Sequence, residues 1–276
     1  MRLALQGATT MTTDLSGDIT AAAAAGFDGI EIWAAKLDRY LASRTIHDLR
    51  RELEDAGIAV LGISSIEHFT FRSGAAWDAI GERCDHLASV AAAVGHPAIV
   101  AVPSPLPPGY DTDRVHRETV EALRGLSDIA RRYDVPLALE PLGTRDCSVR
   151  TLPDALRIVR EVGRPDVGLV LDAFHFYTGS SPLSSIAELH PDELTIFHLD
   201  DCEDLPREQL TDAHRLMPGR GILPLREIAT ELRRIGWDGI VSIELFRPEY
   251  WDQDPVEVAR MAYASAQETV LPVLSP

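Results

Sequence analysis

Residues 167–201 read VGLVLDAFHFYTGSSPLSSIAELHPDELTIFHLDD. Two apolar runs within it, Val167–Leu171 and Leu194–Phe197, have the length and β-branched content of strands buried on both faces. Each run breaks at its C-terminal end into metal-ligand chemistry, Asp172 with His175 and then His198 with Asp200. Two further apolar runs also end in a carboxylate, Leu137–Leu139 in Glu140 and Ile240–Ile243 in Glu244. Strands that finish in such residues point to one metal site at the C-terminal mouth of a parallel barrel, where barrel enzymes keep their chemistry.

Working outward, strand and helix patterns alternate along the whole chain, with no long linker or low-complexity segment. Strands are expected at Arg2–Gln6, Gly29–Trp33, Ile58–Ile63, Ala98–Val102 and Val135–Glu140, then at Val167, at Leu194 and over Ile240–Leu245. Helices are expected at Asp14–Ala25, Thr45–Ala56, Gly74–Val94, Asp113–Tyr133, Thr151–Val162, Ser184–Leu189, Pro224–Ile235 and Pro255–Val270. Glycines 26, 57, 95 and 236 follow helices in the manner of C-caps. Eight β-then-α units are the count of a (β/α)8 TIM barrel, an α/β fold, and the expectation is a single domain over residues 1–276.

The composition narrows the function classes. The net charge of −17, from 26 basic and 43 acidic residues, argues against a nucleic-acid partner, which needs a basic footprint. No stretch approaches the ~20 apolar residues of a membrane span, and MRLALQGATT is too soon polar for a signal peptide. With three widely spaced cysteines, Cys84, Cys147 and Cys202, a disulfide framework is not expected, and the reading is a cytoplasmic protein with reduced thiols.

Glu140, Asp172, His198 and Glu244 form the expected ligand set. Three carboxylates around one point repel unless a cation neutralises them or they share protons. With one imidazole they make a set suited to a single Mn2+, Zn2+, Mg2+ or Co2+. A lone carboxylate at a strand end is ordinarily a helix cap or a surface charge; four at equivalent ends are not explained that way. His175 reads as a substrate-facing or ligand-orienting histidine, with a fifth ligand or a capping histidine as alternatives. Arg220, between the glycines of Pro218-Gly219-Arg220-Gly221, points at an oxygen-rich ligand or is a solvated turn arginine. Gln6, Glu31 and His68 also fall at strand ends and are candidates to line the cavity. Asp200 shares the alternation of His198, and Asp201 suits a loop salt bridge.

These residues carry a resemblance. GATT at 7–10, AVP at 101–103, LSDIA at 126–130, ALE at 138–140, VGLVLDAFHF at 167–176, HLDDCED at 198–204 and VSIELFRPEY at 241–250 span nearly the whole chain. In them the chain resembles the xylose-isomerase-like TIM barrel family of sugar isomerases and epimerases, and within it the inosose (2-keto-myo-inositol) isomerase branch. The resemblance implies metal ligation by the same four residues, with Glu140 and Glu244 as the acid/base pair flanking the substrate carbon and His175 assisting. Three positions depart from the branch: Ser64-Ser65 where an Asn stands first, Arg220 where a glutamine is expected, and Pro224 where an Asp caps the next helix.

The function expected from this is isomerisation or epimerisation of a polyhydroxy ketone, such as an inosose or ketose, by enediolate proton transfer between the two metal-bound glutamates. Arg220, His175, Gln6 and His68 are the expected substrate contacts, and a homo-oligomer is compatible with the family. The alternatives are a dehydratase of a keto-cyclitol or dehydroshikimate-like acid, which shares the first proton abstraction, and a barrel subunit of a sugar-processing deglycosidase complex.

Overall fold

Eight parallel strands close into a barrel in the computed structural model, which describes residues 1–274. They are β1 (Arg2–Gln6), β2 (Gly29–Trp33), β3 (Ala59–Glu67), β4 (Ala98–Val102), β5 (Leu137–Leu139), β6 (Val167–Asp172), β7 (Leu194–Leu199) and β8 (Ile240–Ile243). Each pairs with its sequence neighbours, and β1 pairs with β8 to complete the ring. The strands are β-branched and apolar because both faces are covered. Val100, Ala138, Val170 and Ile196 fill the barrel interior, while a larger cluster including Leu5, Ile30, Leu169 and Phe197 packs against the helices outside.

The helical boundaries follow local chemistry. Thr45 and Asp48 form a reciprocal capping box that starts the helix Ile46–Ala56, and Gly57, at φ 67°, ends it in the left-handed conformation that a side chain resists. Asp14, Asp111, Thr151 and Asp254 cap other helices through side-chain oxygens. Pro224 caps without a side-chain bond, as expected for a residue lacking the Asp carboxylate.

Four differences from the sequence expectation bear on the site. β3 runs on to Glu67, with a register shift against β4 between Ser64 and Ile66, so Ser64 and Ser65 lie within the strand. A helix over Ala34–Leu41 follows β2 with no intervening Gly or Pro to announce it. The segment expected as the sixth-unit helix is a 3-10 turn over Leu183–Glu188, and an α-helix instead occupies Ala173–Thr178. Finally, Asp201–Cys202 and Arg215–Leu216 pair as a two-residue antiparallel ribbon, which returns the intervening segment to the barrel mouth.

Candidate metal centre

Glu140 follows β5, Asp172 ends β6, His198 lies in β7 and Glu244 follows β8, so four consecutive strands of the barrel each deliver one side chain. Asp172 and His198 are direct register partners. One ligand atom from each of the four lies within 4.8 Å of all the others, and all four residues are buried. His198 turns Nδ1 toward the group, 3.0 Å from Glu140 Oε1, 3.4 Å from Glu244 Oε2 and 3.8 Å from Asp172 Oδ2. Three oxygens and one nitrogen at this spacing, withdrawn from water, fit a single divalent cation, because the carboxylates otherwise repel at close range.

The residues around the set fix its members in place. Asp172 divides its oxygens: Oδ1 accepts from the His175 backbone N–H at 2.6 Å and caps the helix Ala173–Thr178, leaving Oδ2 for the centre. Glu244 Oε1 accepts from Gln6 Nε2 at 2.5 Å, and Gln6 Oε1 in turn accepts from the Ala8 backbone. The second interaction fixes which way the Gln6 amide points. Among the described residues, His198 Nδ1 is the one group at hydrogen-bonding distance from the Glu140 carboxylate, the same nitrogen that turns toward the cation position.

Arg215 was not expected here. The short ribbon carries it into the mouth, where it is fully buried with its guanidinium over the Phe174 and Phe246 rings. Its Nη1 donates to Asp172 Oδ2 at 2.7 Å, Asp200 Oδ2 at 2.5 Å and Glu244 Oε2 at 3.0 Å, and its Nη2 to Asp212 Oδ1 at 2.8 Å. Nη2 also lies 3.1 Å from His175 Nε2. A guanidinium only donates, so His175 Nε2 accepts and the imidazole proton sits on Nδ1, which is buried without a partner among the described residues.

These contacts separate the carboxylates electrostatically. Burial pushes the Glu140 carboxyl up to about 7, with Glu244 and Asp172 adding to the rise and His198 opposing it. Burial acts the same way on Glu244, but His198 and Arg215 overcome it and hold that carboxyl below its usual range. Burial, reinforced by Asp172, raises Asp200 well above an ordinary aspartate despite Arg215. For His198 burial disfavours the charged ring, yet Glu31, Glu244 and Glu140 together raise it well above an ordinary histidine. Burial keeps His175 low.

A cavity of about 200 Å3 opens onto this centre, with Glu140, Glu244, His175, Asp212 and Arg215 on its floor. Trp33, Phe246, Val102 and Leu142 give it apolar walls, and Ser64, Ser65, Glu67 and His68 line one side. His68 therefore stands where it could meet a ligand. Gln6 does not: it is completely buried and spends both amide groups on Glu244 and Ala8.

Arg220 is likewise placed elsewhere. Asp201, rather than making a salt bridge, accepts from the backbone N–H groups of Gly219, Gly221 and Leu223 at 3.0, 2.9 and 2.8 Å. Those amides turn inward, and a Cβ on Gly221 would collide with the Cys202 carbonyl, so the side chain between the glycines projects outward. Arg220 is two-thirds exposed and its ion-pair partner is Glu268, at 3.7 Å. The departure at residue 220 thus touches the surface, whereas Ser64 and Ser65 touch the cavity.

The sequence profile of the family described as xylose isomerase-like TIM barrel matches residues 19–265. The chain is 35% identical to an inosose isomerase of Halalkalibacterium halodurans over 98% of its own length and 96% of the relative's. It is 34% identical to an inosose isomerase of Bacillus subtilis, over 100% and 98% respectively. Among solved structures, the IOLI protein with a zinc atom superposes with a TM-score of 0.96 at 33% identity, covering 100% of both chains.

Proposed function

The chain belongs to the xylose isomerase-like TIM barrel family, and on that footing we propose that it is a divalent-metal-dependent isomerase or epimerase of an uncharged polyhydroxy ketone, with an inosose as the first candidate. The observation that carries this reading is the joint placement of Glu140 and Glu244: both belong to the four-ligand set and both line the cavity that opens onto it. A divalent ion held by Glu140, Asp172, His198 and Glu244 supplies, when bound, the Lewis acidity that stabilises negative charge on a carbonyl oxygen and its neighbouring hydroxyl.

The protein's own groups then handle the protons. Glu140, with no side chain but His198 beside its carboxylate among the described residues, takes the proton from the carbon beside the carbonyl. Glu244, anchored by Gln6 and Arg215, exchanges a proton with the second face or carbon. Return to the neighbouring carbon gives isomerisation, and return to the opposite face of the same carbon gives epimerisation. His175, with an unpaired Nδ1–H beside the cavity, assists hydroxyl proton movement.

An uncharged substrate is favoured because, among the described residues, the arginines nearest the centre are already engaged or turned away from it. Arg215 is shared among Asp172, Asp200, Asp212 and Glu244. Arg247 is tied to Glu203 at 2.7 Å, and Arg220 faces solvent. The test is proton exchange: inososes and ketohexoses incubated in deuterated water with metal-loaded protein should gain deuterium beside the carbonyl. Glu140→Gln, assayed at saturating metal because the residue is also a ligand, should slow that exchange by on the order of 10^2-fold or more. Wild-type-rate exchange in that variant would remove Glu140 from the chemistry, and growth of a conjugated-enone absorbance would identify β-elimination instead.

A further inference from the structure

Glu31 lies at the middle of β2 and touches no part of the cavity. Its side chain runs into the barrel beneath the four-ligand set, where it is completely buried. A register shift between Ile30 and Glu31 in the pairing with β3 accompanies this placement, and Gly62 across the strand leaves room for it. A Cβ on Gly62 would stand 2.9 Å from Glu31 Cγ and 3.1 Å from Ile196 Cδ1, so the opposite strand must carry glycine where the carboxylate passes. The Glu31 oxygens lie 3.1 and 3.0 Å from His198 Nε2, and Oε1 also accepts from the Ser64 hydroxyl.

We infer that Glu31 is a positioning residue for the metal centre, accepting the Nε2–H of His198 and thereby fixing the ring with its Nδ1 lone pair toward the cation. The inference rests on the ligand reading above and deepens it. A histidine nitrogen that ligates a metal must be unprotonated, so the ring proton has to reside on the other nitrogen. That second nitrogen is buried here, where an N–H without an acceptor would be costly, and the carboxylate facing it is Glu31. A carboxylate in this position holds the ring's orientation and strengthens the opposite nitrogen as a donor to the metal. Ser64 completes the chain from β3, giving Ser64 to Glu31 to His198 across three strands. This gives the serine at the start of Ser64-Ser65 a definite task at the centre.

The test compares zinc affinity, by competition with a chromophoric chelator at fixed pH, in wild type and Glu31→Gln, with unfolding curves for both. Gln keeps the shape and loses the charge, and zinc should bind about 10–100-fold more weakly to a chain that remains folded. Equal affinities in two folded chains would overturn the role of Glu31 while leaving the ligand set standing. A folded wild type that takes up no zinc would overturn the ligand set and the role of Glu31 together. A measurement on wild type alone covers the case in which the variant does not fold. Nitrogen-15 spectra of histidine-labelled, zinc-loaded protein should show the His198 proton on Nε2, and a proton on Nδ1 would refute the inference. Neither readout depends on turnover.

Discussion

Lys36 and Asp18 face each other 2.8 Å apart beside Thr10 in the loop after β1, whereas Arg215 faces several carboxylates across the barrel mouth. Both arrangements are buried ions, but they balance differently. The three Lys36 ammonium hydrogens are met by Asp18 Oδ1, Asp18 Oδ2 and the Thr10 carbonyl, and Thr10 also donates its hydroxyl to Asp18 at 2.6 Å. One positive and one negative group are closed on themselves, with nothing left to attract a ligand. At the mouth and just inside it, Glu31, Glu140, Asp172, Asp200 and Glu244 are all buried against the guanidinium of Arg215 and the His198 ring. That surplus of acceptors is stable only with protons or a cation among them. The charge balance, rather than burial itself, distinguishes a structural pin from a centre built to hold something else.

Breaking the balance at the mouth should have the largest effect. Arg215→Met removes the cation from four carboxylates and withdraws the support of Asp172, Glu244 and His175 at once. Turnover should fall by on the order of 10^2-fold or more, and unfolding in urea should show a loss of about 3–5 kcal/mol from the uncompensated buried charge. Arg215→Lys should recover part of the stability but little of the turnover, because an ammonium cannot span the forked set of acceptors. A Met variant with wild-type kcat/KM would mean that the guanidinium merely plugs the mouth, and the contrast with Lys36 would collapse.

The closed pair should fail in stability alone. Lys36→Met leaves Asp18 as an isolated buried carboxylate and should cost about 3–5 kcal/mol near pH 8, with kcat of the folded fraction unchanged. Its pH dependence has a defined sign. Burial, only partly offset by Lys36, already holds the Asp18 carboxyl at about 6 against an ordinary 3.8. A raised carboxyl pKa means that folding favours the protonated form, so this group's contribution falls as pH climbs from 3.8 to about 6 and is level above. Removing Lys36 removes the group that opposes the rise, moving the window higher. The deficit relative to wild type should therefore shrink on going from pH 8 to pH 5. A deficit that grew toward acid would show the pair to be stabilised by its charges and not penalised by them.

The same contrast explains what could be read from the sequence. Apolar runs broken by Asp172, His198, Glu140 and Glu244 announce both the strands and the ligand atoms, because a parallel barrel brings all strand C-termini to one rim. Arg215 carries no such signal. It reaches the centre through a ribbon of two residues per strand, too short for any periodicity, and the residues before it read as an ordinary acidic loop. Glu31 shares a strand with apolar neighbours and points inward in company with a register shift that no residue pattern encodes. No helix is expected over His175, yet it rides on a helical turn, because Asp172 serves as its cap as well as a ligand. Gln6 is at the expected strand end, yet it serves Glu244 and not a substrate; which neighbour an amide meets is a matter of tertiary geometry.

The smallest effect is expected at Arg220, and it sharpens the comparison because this arginine belongs to neither cluster. Both members of its ion pair with Glu268 are about two-thirds exposed at 3.7 Å, a geometry in which the attraction is screened and contributes a few tenths of a kcal/mol at most. The turn itself does not need the side chain, since Asp201 binds the amides on either side and Gly219 supplies the φ of 78°. Arg220→Ala should thus leave unfolding free energy within about 0.5 kcal/mol of wild type, with kcat and KM for a ketose or inosose unchanged. Should KM rise in this variant while stability holds, a solvent-facing cation would be reaching the substrate alongside Arg215.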